Sequence, residues 1–273
     1  MQEKTVKLGL VGKDVSKSQS PQIHTFILNE WGLQCEYACF SVTPSEWDEV
    51  IRTLLGDFDG FNVTIPYKRD VFEYLDEVVG DALSCGAVNT VSCADAKGYN
   101  TDGVGFLQML QSAGVEVSGK KVLVLGAGGA GRSTAAALKG AGASVFMYRR
   151  NQAELQEVCA QLGVTAATNI ESGGYDILIN STGVGMHDSV GKSPVTQAAF
   201  AGASCAVDLI YHPAESEFLR LARAQGLQTV NGESMLFYQA YYADCIYTKR
   251  KSNPCEAQAL YEKYKKRTKG EHV

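Results

Sequence analysis

One stretch constrains the fold more than any other: KVLVLGAGGAGRSTAAALKGAGASVFMYRR, Lys121 to Arg150. An apolar run leads into Gly126, Ala127, Gly128, Gly129, Ala130, Gly131 and Arg132, then an alanine-rich segment and a second apolar run. Continuous apolar runs of this kind read as strands buried on both faces, which occur where helices cover a parallel sheet. The glycines each answer a separate need. The first makes a tight turn, the second lets a pyrophosphate approach the backbone, and the third lets the helix pack on the strand. The helix start then offers unpaired N–H groups and a positive dipole end to phosphates. Glycine-rich turns also occur as plain loops, but a strand before, a helix after and a second strand beyond are what a dinucleotide site requires.

The second strand ends at Tyr148, Arg149 and Arg150. A site for NAD usually places Asp or Glu here, to bind the ribose 2′-hydroxyl. Two guanidinium groups instead suit the 2′-phosphate of NADP, by charge and by paired donors. The alternative is a solvated strand end with no ligand.

The remaining sequence repeats the strand-helix alternation in two series, the pattern of an α/β layer fold. VKLGLVG, CEYACFSV and GFNVTI are strands of the first series, with helices from about Pro21 to Trp31 and around Glu46 to Leu55. Pro21 suits a first helical position, with Ser20 as its cap. GAVNTVSC and KGYNTD read as a strand pair turning at residues 94–97. From Gly103 a helix leads to the second series, whose later strands are YDILINST, CAVDLIY and QTVNG. A long amphipathic helix, MLFYQAYYADCIYTKR, and another from about Pro254 close the chain and are free to return to the first series. Two α/β domains follow, with boundaries at residues 1–103 plus 234–273 and 104–233.

Composition narrows the function classes. A net charge of −5 over 273 residues argues against a nucleic-acid surface, which needs a basic stripe. The basic run Lys263 to Lys269 reads as a solvated or frayed helix end, or as an interaction patch. The eight cysteines are scattered without ligand spacing, which points to reduced thiols and no metal. No opening apolar core resembles a signal peptide, and no run reaches the ~18 apolar residues of a membrane span. The expectation is a soluble, cytoplasmic protein.

A nicotinamide cofactor implies hydride transfer, which needs a neighbouring group that gives or takes the alcohol proton. Such groups belong at the ends of first-series strands, where open α/β sheets place ligands. NVTIPYK with Lys68, GAVNT with Asn89, NTDGVG with Asp102 and the serine-rich loop SKSQSPQIH are the candidates. Taken alone, Lys68 is also consistent with a surface lysine after a proline turn, and the serines with helix caps.

The ordered motifs SQSPQIH, NVTIPYK, GAVNT, NTDGVGF, GAGGAGR, INSTGVGM, DLIYHP and NGESMLFYQA resemble those of shikimate dehydrogenases over nearly the whole chain. The resemblance implies a substrate-binding domain followed by a Rossmann-type domain, and NADPH-dependent reduction of 3-dehydroshikimate to shikimate. It implies that Lys68 is the acid–base group, paired with Asp102. Ser18 and Ser20 correspond to holders of the substrate carboxylate. Thr64, Asn89, Asp102 and Gln239 correspond to holders of the ring hydroxyls, supported by Asn62 and Tyr211. Gly126 to Arg132, Arg149, Arg150, Thr182, Leu209 and Gly232 map to cofactor contacts, with Met235 near the nicotinamide. Two departures concern the cofactor: Tyr148 stands where the family usually has Asn, and Ala153 where it has a further arginine. Quinate/shikimate dehydrogenases that use NAD are the close alternative. A non-catalytic NADP(H) sensor would have lost Lys68 or Asp102, and a folate-linked dehydrogenase would not need the serine pair.

The arginines generate a test. Changing Arg149 and Arg150 together to uncharged residues should raise KM for NADP far more than for NAD. The preference of the parent protein for NADP should be smaller than in relatives with the full arginine set. Comparing kcat/KM for both cofactors at equal salt decides it, and a parent preference for NAD would overturn the NADP assignment.

Overall fold

The apolar runs form two six-stranded sheets. The computed structural model describes residues 5–268 and 270; Met1 to Lys4 of the opening segment and Lys269 of the basic run lie outside them. The chain divides into two units, one running through Thr101 and resuming at Phe237, the other spanning Asp102–Leu236.

The first unit contains β1 (Thr5–Gly12), β2 (Gln34–Ser41), β3 (Gly60–Val63), β4 (Glu77–Val78), β5 (Thr90–Ser92) and β6 (Lys97–Tyr99). They lie in the order β2-β1-β3-β5-β6-β4. β1 is parallel to β2 and β3, whereas β5 is antiparallel to both β3 and β6. The sheet is therefore mixed: β5 and β6 form the turn-connected pair read from the sequence, and β5 also opposes β3. The turn between β5 and β6 is far too short for the crossover that parallel pairing demands.

Helices α1 (Ser20–Glu30), α2 (Trp47–Asp57) and α3 (Asp81–Cys85) belong to this unit. The expectation that Ser20 caps α1 is corrected: the cap position is Gln19, and Ser20 is already helical. The Ser20 N–H donates to the Ser18 hydroxyl at 3.2 Å, so the serine two residues earlier takes the capping bond. Trp47, Ile51 and Leu54 recur at helical spacing on α2 and pack with Phe61, Val63 and Val91 on one face of the sheet.

In the second unit β7 (Lys121–Leu125), β8 (Ser144–Tyr148), β9 (Thr165–Ala166), β10 (Ile177–Asn180), β11 (Cys205–Asp208) and β12 (Gln228–Asn231) are all parallel. Their order, β12-β11-β10-β7-β8-β9, runs outward from β7 on both sides and reverses between β7 and β10. That reversal opens a crevice at the carboxyl ends of the strands. Helices α4 (Asp102–Ser112), α5 (Gly129–Gly140), α6 (Gln152–Leu162) and α7 (Glu217–Arg223) connect the strands. β10 and β11 are buried throughout, as continuous apolar runs require.

The chain re-enters the first unit within α8 (Glu233–Tyr247) and ends in α9 (Pro254–Thr268). Ala243 and Tyr247 of α8 pack with Leu28, Val6 and Leu8 on the second face of the first sheet. A Cβ on Gly60 would lie 2.3 Å from the Tyr247 ring, so the bare backbone of β3 is what lets that ring seat. Within the basic run, Lys263 pairs with Glu30 of α1 at 2.5 Å and Arg267 lies over the Phe26 ring. Its described part is a solvated helix end, with Lys263, Lys266 and Arg267 exposed, that also contacts α1. No helix among the described residues is long and apolar enough to cross a membrane.

α1 and α8 are also joined by His24 Nδ1 and Asp244 Oδ1 at 2.6 Å, with both side chains fully buried. Burial pushes the Asp244 carboxyl above its ordinary range, and His24 opposes that rise. Removing one member of a buried pair strands the other, at a loss of ~3–5 kcal/mol, whereas replacing both with apolar groups is often neutral. His24→Ala and Asp244→Ala should each lose stability on that scale. The double variant His24→Leu/Asp244→Leu should lose less than either, measured by urea denaturation. Additive losses in the double variant would show that the pair is not the coupled element.

Candidate active site

The candidate substrate residues of the first unit gather at one end of its sheet, for topological reasons. β1 and β3 are parallel and in register, Val11 opposite Val63, so the loops bearing Ser18 and Thr64 leave the same end. β5 runs the other way, with Thr90 opposite Asn62, so Asn89 arrives there from the amino side of its strand. β6 then leaves beside it, Tyr99 opposite Thr90, and delivers Asn100 and Thr101.

Hydrogen bonds tie these residues into one network. The Ser18 hydroxyl donates to the Ser20 hydroxyl at 3.1 Å. The Ser20 hydroxyl in turn bonds the phenol of Tyr37 on β2. Tyr37 Oη donates to Asn62 Oδ1 at 3.0 Å, and Asn62 Nδ2 donates to the Asn89 carbonyl at 3.1 Å. Asn89 Oδ1 accepts the Thr101 N–H at 2.9 Å, and its Nδ2 donates to Thr101 Oγ1 at 3.0 Å and Gln239 Oε1 at 3.5 Å. Burial holds the Tyr37 phenol protonated well above its usual range, so it serves as a fixed donor.

Thr64 lies just past β3, and its N–H donates to the Val11 carbonyl at 2.9 Å. Lys68 is half-buried, and its carbonyl accepts the Val88 N–H at 2.8 Å, which fixes the lysine's main chain beside Asn89. Asp102 opens α4 in the second unit, immediately after Thr101. A carboxylate is favoured at that helix start. Sequence reasoning missed Tyr37 and Thr101. Tyr37 stands in an ordinary alternating strand, with no motif to separate it from a core aromatic.

The candidate cofactor residues gather at the carboxyl ends of the second sheet. Gly126 to Arg132 follow β7, Arg149 and Arg150 follow β8, Thr182 follows β10, Leu209 follows β11 and Gly232 follows β12. Gly126 has φ +106°, a left-handed conformation that glycine alone takes readily. A Cβ on Gly131 would lie 2.5 Å from the Gly126 carbonyl oxygen, so helix α5 can approach the turn only through glycine. Gly128 has nothing within 4 Å of where a Cβ would be, and no side chain caps α5. A tight turn, an open backbone and an uncapped helix start together fit a pyrophosphate. Gly232 is needed as well, since its Cβ would lie 2.1 Å from the Leu209 carbonyl oxygen.

The side chains here are held by the protein itself. Thr182 donates through its N–H and its hydroxyl to Asn180 Oδ1, at 3.0 and 2.6 Å. Asn180 Nδ2 donates to both Asp208 oxygens, each at 3.1 Å. Burial raises the Asp208 carboxyl, and Ser216, the Ile210 N–H and Asn180 counter it. Arg132 is buried and donates to Gln161 on α6 at 2.6 Å. Arg149 pairs with Glu154, an acid that the strand-end pattern did not expose. Tyr211 is half-buried after β11, its phenol raised by burial, and Met235 is buried near the start of α8.

Comparison with known proteins agrees with this geometry. A family model described as shikimate dehydrogenase substrate binding domain matches residues 10–91, and one described as alanine dehydrogenase/PNT, C-terminal domain, matches residues 99–207. A shikimate dehydrogenase (NADP(+)) of Caldanaerobacter subterraneus subsp. tengcongensis is 40% identical over 89% of this chain and 92% of its own length. Among solved structures, the chorismate mutase/shikimate 5-dehydrogenase fusion protein of Clostridium acetobutylicum aligns with TM-score 0.89 and 34% identity, covering 97% of this chain and 99% of that one. The shikimate 5-dehydrogenase of Thermus thermophilus, in complex with NADP(H) and shikimate, aligns with TM-score 0.86 and 32% identity, covering 94% and 99%. At this identity and coverage, the chain belongs to the shikimate dehydrogenase family.

Proposed function

We propose that the protein catalyses the reversible NADPH-dependent reduction of 3-dehydroshikimate to shikimate, in the cytoplasm. On this reading residues 1–103 and 234–273 bind the substrate and residues 104–233 bind NADP. The observation that carries it is the unbroken hydrogen-bonded run Ser18–Ser20–Tyr37–Asn62–Asn89–Gln239, which presents a set of preset donors and acceptors beside Lys68. A polyhydroxylated ring acid needs such a set. The Ser18 and Ser20 hydroxyls take the carboxylate, and Thr64, Asn89 and Gln239 hold ring hydroxyls, with Asn62 and Tyr211 in support.

The bound nicotinamide supplies the hydride. The Lys68 ammonium gives the ketone oxygen its proton as the carbon receives the hydride, and takes it back in the reverse direction. By the family resemblance, Asp102 is the acid–base partner assigned to Lys68. On the cofactor side, the backbone from Gly126 to Arg132 receives the pyrophosphate, and Arg149 and Arg150 receive the 2′-phosphate. Thr182, Leu209 and Gly232 would contact the cofactor, with Met235 near its nicotinamide. The named activity of the relatives supports NADP as cofactor. The scattered spacing of the eight cysteines supports a reducing compartment.

Lys68→Ala should lower kcat by at least ~10²-fold, the scale of a lost positioned acid–base group, with nucleotide affinity little changed. Near-normal kcat in that variant would remove Lys68 from the mechanism. Ser18→Ala or Ser20→Ala should raise KM for shikimate more than it lowers kcat, because the carboxylate is remote from the reacting carbon. Each hydrogen bond to a charged group is worth ~1.5–3 kcal/mol. Unchanged KM in both variants would rule out this carboxylate pocket. Running the same assay with shikimate and then quinate, with both cofactors, separates this activity from the quinate-using branch.

A further inference from the structure

The first arginine after β8 is already engaged. Arg149 Nη1 pairs with Glu154 Oε2. Glu154 lies in the first turn of α6, where the helix start favours a carboxylate. It is held from its other oxygen as well: Asn151 Nδ2 donates to Glu154 Oε1 at 2.8 Å, and the Glu154 N–H donates to Asn151 Oδ1 at 3.4 Å. This reciprocal cap fixes where the carboxylate sits. The Arg149 main chain is fixed too, its carbonyl accepting from Gln152 Nε2 at 2.8 Å. Arg150 is exposed and makes no ion pair among the described residues.

We propose that Glu154 sets the cofactor selectivity of this protein, its carboxylate occupying the Arg149 guanidinium that a 2′-phosphate would otherwise bind unopposed. The inference rests on the placement of the nucleotide at the glycine-rich turn. A 2′-phosphate carries between one and two negative charges near neutral pH, so it meets attraction from two arginines and repulsion from an anchored acid. A ribose 2′-hydroxyl meets no such repulsion and can donate to a carboxylate. Glu154 therefore weakens NADP without weakening NAD, and the two cofactors lie closer in affinity than two strand-end arginines alone would place them. Arg149 and Glu154 are 35% and 50% exposed, so water and salt screen the effect and keep it moderate.

Glu154→Gln tests this, because glutamine keeps the length and the capping bond from Asn151 while removing the charge. The probes are 2′,5′-ADP and 5′-AMP, which differ only in the 2′-phosphate, titrated calorimetrically into parent and variant at fixed low salt. The expected result is tightening of 2′,5′-ADP by about fivefold, ~1 kcal/mol, with 5′-AMP affinity changed by less than about twofold. The gain should shrink as salt rises, and it should vanish when Arg149→Gln is added to the variant. Equal tightening of both nucleotides, or none, overturns the role of Glu154 while leaving the nucleotide site standing. A gain that survives Arg149→Gln overturns the contest for that guanidinium. If neither nucleotide binds either protein, the placement of the cofactor falls, and this proposal with it.

Discussion

Two buried amides govern the sheet end of the first unit. Asn62 and Asn89 are 5% and 3% exposed, and an unpartnered buried polar group costs ~1–3 kcal/mol. The amide has a donor end and an acceptor end, so only one orientation of each satisfies its neighbours. Asn89 must meet Thr101 with both ends, and Asn62 must accept from Tyr37 while donating to the Asn89 carbonyl. β2, β3, β5, the segment after β6 and α8 are therefore located against one another by polar bonds at this end. Apolar packing alone, which is non-directional, would allow small slips. A site that must recognise several hydroxyls at once gains from groups that cannot turn away.

The parts legible in the sequence are those dictated by the backbone. Gly126, Gly131 and Gly232 mark places where any Cβ would collide or a left-handed turn is needed, and such places leave a residue type behind in the sequence. The doubly wound sheet was legible for a related reason, since strands buried on both faces must be apolar at every position. The turn at 94–97 likewise announced the β5–β6 pair, although nothing local said that β5 would also oppose β3.

The parts that stayed hidden are those dictated by a partner far away in the chain. Ser20 looks like a cap until Ser18 supplies the bond instead. Tyr37 looks like a core aromatic until Asn62 and Ser20 arrive from other elements. His24 and Asp244 stand 220 residues apart and carry no pattern that pairs them. Glu154 lies only five residues from Arg149, but helix starts are commonly acidic for their own reasons, so its second role was masked by its first.

Burial also decides how firmly each half of the chemistry is held. In the proposed substrate site of the first unit, Ser20, Asn62 and Asn89 are buried and hydrogen-bonded, so removing one leaves its partners unsatisfied and loses more than the single bond. In the second unit the charges proposed to distinguish one nucleotide from another, Arg149, Arg150 and Glu154, are partly or fully exposed, and exposed ion pairs contribute ~0–1 kcal/mol. A change at Arg149, Arg150 or Glu154 disturbs no core and strands no buried partner. The substrate side therefore resists drift, because a new ring would require several enclosed groups to change together. The nucleotide side can move in small independent steps, each altering cofactor choice by a modest factor while the fold stays the same. On the proposed assignment, a strand end that departs from the family pattern in a chain whose substrate motifs do not follows the same difference.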